Sequence, residues 1–180
     1  IDITTSLLYR WRYQIGYTII LLLLVGLLAV AGFLIPNGLT EQELKGIITS
    51  SQLIPSELWH DTPLNAPFYL LQHVTLSIFG VSLLGIKLPS LVLALVTARC
   101  MVLLLRCWFT HGIAVLASLL AITTGQFLFL SQQGTVGILY LFWPTVLLLL
   151  ATLVAKRVRY STVWKILFFI AAALSLYTPL

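Results

Sequence analysis

Four of the chain's five carboxylates, Glu41, Glu43, Glu57 and Asp61, fall in one short stretch, and His60 stands beside the last of them. Carboxylates and an imidazole are the side chains that hold a divalent cation or take a proton from a hydroxyl. Glu43 first and Glu41 second are therefore the candidate general bases, and Glu43, His60 and Asp61 the candidate ligands of a cation such as Mg or Mn. No tight metal-ligand motif is present. A solvated acidic loop is the other reading of the same residues, and spacing alone leaves both open.

The elements that must position these groups belong to a membrane. The chain is 60% hydrophobic and 8% charged, with a mean hydropathy of +1.06, whereas a soluble domain carries about 25% charged residues. A bilayer core about 30 Å thick needs about 20 residues of helix, and uninterrupted apolar stretches of that order recur along the chain. Runs such as Ile19-Ile20-Leu21-Leu22-Leu23-Leu24 do not alternate as barrel strands do, and a helix satisfies its own backbone in hydrocarbon. The pattern predicts an all-α polytopic bundle. Its parts are an N-terminal segment 1–14, spans at 15–35, 84–106, 112–131, 134–155 and 162–180, a long loop at 36–65, and a short helix at 66–80.

Charge sets the expected orientation. Arg10, Arg12, Arg99, Arg106, Lys156, Arg157, Arg159 and Lys165, eight of the ten basic residues, fall on one side of such a bundle, and Lys45 and Lys87 on the other. The positive-inside rule makes the first side cytoplasmic, with the N-terminus inside and the acidic loop outside, in a plasma or inner membrane. The net charge of +5 is then a topology signal and calls for no nucleic acid. The first span reads as retained, because Leu34-Ile35-Pro36-Asn37 is a poor signal-cleavage site. A chain that opens on Ile1 and stops within an apolar run at Leu180 reads as part of a longer protein. Cys100 and Cys107 lie too far apart along one helix for a disulfide and are expected to be free thiols.

Within the loop, Thr40-Glu41-Gln42-Glu43 has capping-box spacing, which predicts a helix from Glu41 to about Ser51. Asn65 is the expected N-cap of the next helix, Pro67 suits its first turn and Gly80 its stop. At about 14 residues this second helix is too short to cross a bilayer and should lie near the outer interface, with membrane lipid as its neighbour. Tyr69, Gln72 and His73 share one of its faces. Lys87, at the outer start of the following span, either meets an anionic group or anchors the helix end.

Several of these segments resemble a known family. The Pro67-Phe68-Tyr69-Leu70-Leu71 helix, then Phe79-Gly80-Val81-Ser82, then Lys87-Leu88-Pro89-Ser90, and further on Ser131-Gln132-Gln133-Gly134-Thr135 before a span, are similar to C-type glycosyltransferases of the protein mannosyltransferase and aminoarabinose transferase superfamily. The order of parts is similar too: a span, a long acidic loop, a short helix, a span opening on basic-Leu-Pro-Ser. The resemblance implies transfer of a sugar from a polyprenyl-phosphate donor to an acceptor on the outer face, with a first-loop acid and often a metal. It gives Glu43 and Glu41 the catalytic role, and Lys87, Tyr69 and His73 contacts to the donor. Where many members have Asp-Glu this chain has Gln42-Glu43, and the Arg of the later motif is Gln132. A membrane scaffold is the alternative reading; a transporter is disfavoured by the lack of repeated halves and of ionisable groups within spans three and four.

Overall fold

A computed structural model describes residues 40–51, 65–156 and 161–178, together with Thr18, Ile19, Leu22 and Gly26. The rest of the expected first span, the end of the acidic loop with Glu57, His60 and Asp61, and the basic residues Arg157 and Arg159 lie outside the described residues. What is described is helical, without a strand. Helix α1 is Glu41–Ser51, α2 Ala66–Phe79, α3 Leu83–Trp108, α4 His111–Ile122, α5 Gly125–Gln132, α6 Leu139–Ala155 and α7 Ser161–Ser175, with a 3-10 turn at Val136–Ile138 before α6.

Among the described residues, two helices are long and apolar enough to cross a membrane, Gly85–Trp108 and Val136–Ala155. The pair α4 and α5 makes a third only if its bend of 64° is counted within one span. The expected span at 112–131 is thus broken at Thr123–Thr124. Thr123 Oγ1 lies 3.0 Å from both the Leu119 and Leu120 carbonyls, and Thr124 Oγ1 donates to the Ala121 carbonyl at 2.7 Å. Adjacent hydroxyls that take up the last carbonyls end one helix, and Gly125 starts the next. The expected last span is likewise shorter: α7 stops at Ser175 and closes in a turn through Thr178, just before Pro179, which disfavours helix in the residue preceding it.

Helix α3 is the axis, packed against α2, α4, α5 and α6, while α6 also carries α7 and α2 carries α1. Ala94, Ala98 and Val102, four residues apart, put small side chains on one face of α3. They share a core with Phe68 of α2, Ile122 and Phe127 of the bent pair, and Leu139, Trp143 and Leu150 of α6. Small residues let helix backbones approach closely where lipid offers no hydrophobic drive between them. Pro89 in α3 has no N–H to give the Gly85 carbonyl; Thr75 of α2 replaces it, its Oγ1 lying 3.0 Å from that carbonyl and 2.9 Å from Gln72 O.

The bundle has two chemically different ends. At one, the Asn65 N–H donates to Tyr177 O at 2.7 Å and Trp143 Nε1 donates to Thr178 Oγ1 at 2.9 Å, so the end of α7 is tied to the starts of α2 and α6. At the other, Lys156 after α6 donates to the Cys107 carbonyl at the end of α3 and lies over the Trp108 ring, while Arg106 hydrogen-bonds His111 at 2.7 Å. Cys100 and Cys107 are free thiols. Asn65 is not the cap its type suggests: it sits at φ 66, ψ 29 and its side chain bonds no helix N–H. Its backbone is instead held in the left-handed region, which Asn tolerates better than most residues, by the bond to Tyr177. Gly80, at φ +67, does end α2, in a conformation that suits glycine.

Candidate functional site

The capping box at the start of α1 is half formed. Glu43 reaches back, its Oε2 accepting from Thr40 N at 2.9 Å and Thr40 Oγ1 at 2.8 Å. The threonine hydroxyl thus donates to the carboxylate and does not cap a helix N–H. The other oxygen, Oε1, accepts from Gly134 N at 2.9 Å across 91 residues of sequence. The carboxylate therefore joins α1 to the link between α5 and the 3-10 turn, and Glu43 is only 4% exposed.

Gly134 fills that place because nothing larger fits. A Cβ there would stand 2.8 Å from the Ile86 carbonyl oxygen and 3.0 Å from Ile86 Cγ2. The close approach brings the start of α3 under Glu43, and the half-buried Lys87 follows Ile86 in sequence. Burial by itself would raise the Glu43 pKa; the donors from Gly134 and Thr40, with the positive charge of Lys87, outweigh it and hold the carboxyl below its ordinary 4.5. Glu43 is accordingly an ionised, fixed anion at neutral pH. Glu41, two residues earlier, is exposed.

Tyr69 and His73 sit where α2 meets α1. Tyr69 Cε1 lies 3.9 Å from the position a Gly46 Cβ would take, and burial pushes its phenol pKa up. His73 Nδ1 is 2.9 Å from the Ser50 carbonyl; a carbonyl only accepts, so Nδ1 carries the proton. Gln72, between them on the helix, is 0% exposed and neither of its amide atoms has a hydrogen-bond partner. Unpaired buried amide atoms cost more than an apolar group of the same shape. Gln72→Leu is expected to raise the stability of the detergent-solubilised protein by about 1–2 kcal/mol, read as a higher midpoint of thermal unfolding. A fall in that midpoint would show that water bridges the amide.

Among the described residues no group of three or more His, Cys, Asp and Glu side chains converges as a metal site. Glu43 has one acceptor direction left on Oε1, and His60 and Asp61, its expected companions, lie outside the described residues. The residues described supply a single buried carboxylate and do not by themselves fit a Mg or Mn ion. The structure brings Lys87 within charge range of Glu43, whereas Tyr69 and His73 meet α1 further along, at Gly46 and Ser50. Gly134 was the partner that residue types did not announce, since its contribution is a backbone N–H; the one signal was its place in the Ser131–Thr135 stretch. No family model, curated protein or solved structure matches this chain.

Proposed function

We propose that the chain is the N-terminal membrane part of a glycosyltransferase that moves a sugar from a polyprenyl-phosphate donor to an acceptor on the extracytoplasmic face. One observation supports this most: the first-loop acid and two of the four stretches that carry the resemblance meet at one end of the bundle, with Glu43 of α1 bonded to Gly134 and Gly134 packed on Ile86 beside Lys87. In this reading the membrane is crossed five times, in a cell membrane with the N-terminus in the cytoplasm. The Arg106 and Lys156 end then faces the cytoplasm, and the Glu43 end the outside.

The chemistry divides between the two glutamates. A carboxylate held below its usual pKa by three donors is a weak proton acceptor, so Glu43 sets the position of α1 and the local charge. The exposed Glu41 is the base: it takes the acceptor's O–H proton as that oxygen bonds to the sugar's anomeric carbon, and the carbon–phosphate oxygen bond breaks with its electron pair leaving on polyprenyl phosphate. Lys87 neutralises that phosphate. Tyr69 and His73 brace α1 from α2. A divalent cation, if one takes part, requires ligands beyond those described.

In the complete protein, Glu41→Gln is expected to lower sugar transfer about 100-fold or more, the usual size of a lost general base, with donor binding intact. Lys87→Ala is expected to weaken donor binding. Full transfer by the Glu41→Gln, Glu43→Gln double variant would remove both carboxylates from catalysis. It would leave a membrane scaffold as the better reading, which the hydrogen-bonded state of Glu43 already favours over a transporter.

A further inference from the structure

Helix α1 has three faces. At about 100° per residue, Glu43, Gly46 and Ser50 fall together and are the residues it buries. Ile47, Leu44 and Ile48 follow on one flank, with Ser51 at the helix end among them; Glu41 stands at its border, about 20° from Ile48, and Lys45, Thr49 and Gln42 occupy the other. Leu44 is 50% exposed and Ile48 48%. In water this arrangement is inverted, since it removes a carboxylate from solvent and leaves two large aliphatic side chains in it. Helix α2, packed beside α1, buries Gln72 and Thr75 along with Ala66 and Phe68, while Leu70, Val74 and Ile78, four residues apart, are exposed.

We propose that α1 lies in the interfacial plane of the leaflet at the Glu43 end of the bundle, with its Leu44, Ile47 and Ile48 flank among phospholipid acyl chains and its Lys45, Thr49 and Gln42 flank in water. Three observations carry this. Helix α2, against which α1 packs, exposes an apolar stripe of its own and packs on α3, one of the two helices long and apolar enough to cross a membrane. Neither exposed charge of α1 lies within its apolar flank: Lys45 is on the other and Glu41 at the border, where it reaches water past the helix's first turn. The third face is already satisfied within the protein through Glu43. An interfacial helix needs an apolar flank, a charged flank and a fixed rotation between them, and α1 has all three. Phospholipid is therefore the partner that covers this surface. The assignment does not depend on the transferase reading, and its test involves no activity.

The full chain carrying Cys100→Ser and Cys107→Ser is given one new cysteine at a time, Leu44→Cys, Ile48→Cys, Lys45→Cys or Thr49→Cys, spin-labelled and reconstituted into phosphatidylcholine vesicles. Collision with oxygen, which concentrates in hydrocarbon, is compared with collision with a water-soluble nickel chelate. The oxygen-to-nickel ratio is expected to be several-fold higher at 44 and 48 than at 45 and 49. Equal nickel access at all four positions would place α1 in water and overturn the proposal. Low access of both reagents at 44 and 48 would overturn it too, because another protein surface would then cover the flank. As a second readout, a bimane at position 48 should be quenched by brominated phosphatidylcholine several-fold more strongly than one at position 49, and equal quenching would again overturn the assignment.

Discussion

Glu43→Ala is expected to release α1 from the bundle. The substitution deletes the acceptor for Gly134 N, Thr40 N and Thr40 Oγ1. Water can replace it at the exposed Thr40, whereas the buried Gly134 N–H is left without a partner. A hydrogen bond to a charged group contributes about 1.5–3 kcal/mol and an orphaned buried donor costs a similar amount, so docking of α1 should weaken by about 2–3 kcal/mol. Amide hydrogen exchange in α1 should then accelerate about 100-fold, at about 1.4 kcal/mol per factor of ten. Glu43→Gln, which keeps the shape and an acceptor oxygen, should show a smaller acceleration. Unchanged exchange in Glu43→Ala would mean that α2 alone holds α1.

The same bond carries a pH dependence of defined sign. Because the folded carboxyl titrates below its ordinary 4.5, its stabilisation is complete above the unfolded value. It is lost as the pH falls through that value and then through the lower folded one. Acid should therefore lower the protection of the α1 amides in the parent protein, measured against intrinsic exchange at each pH, toward that of the Glu43→Ala variant, while the variant's own protection responds little over that range.

Gly134→Ala is the second large effect. Its Cβ would meet the Ile86 carbonyl oxygen at 2.8 Å, a backbone atom of the long helix α3 that cannot rotate away as a side chain can. Overpacking of this kind costs about 1–3 kcal/mol, and relief by displacing residue 134 would also move its N–H away from Glu43. The two substitutions share one contact, so Gly134→Ala combined with Glu43→Ala should cost less than the sum of the two alone. Strict additivity of the unfolding free energies would show that the glycine and the carboxylate do not act on one joint.

The parts of the fold readable from the sequence were those set by local chemistry. Thr40-Glu41-Gln42-Glu43 marks the start of α1, Pro67 and Gly80 bracket α2, and the apolar run after Ser82 becomes α3, capped as Ser82 Oγ accepts the Gly85 N–H at 3.1 Å. What hydropathy does not register is hydroxyl chemistry inside an apolar run: Thr123 and Thr124 fold their side chains onto preceding carbonyls and bend the expected third span. Nor can residue type foretell a backbone held from afar, as Asn65 is by Tyr177. The candidate site was legible as a list of side chains, Glu43 and Lys87 among them. Its central partner, a backbone N–H 91 residues away, carries no side-chain signature at all.

The inward face of α1 has a thermodynamic consequence. Glu43, Gly46 and Ser50 are the residues it buries, so on its own side release exposes a carboxylate, a hydroxyl and backbone, polar groups whose hydration lowers the heat capacity where apolar hydration raises it. Detachment of α1 should therefore proceed with a heat-capacity change near zero or negative. Attachments made by apolar burial from water loosen as the temperature falls; the joint that holds Glu43 in place should keep its strength in the cold.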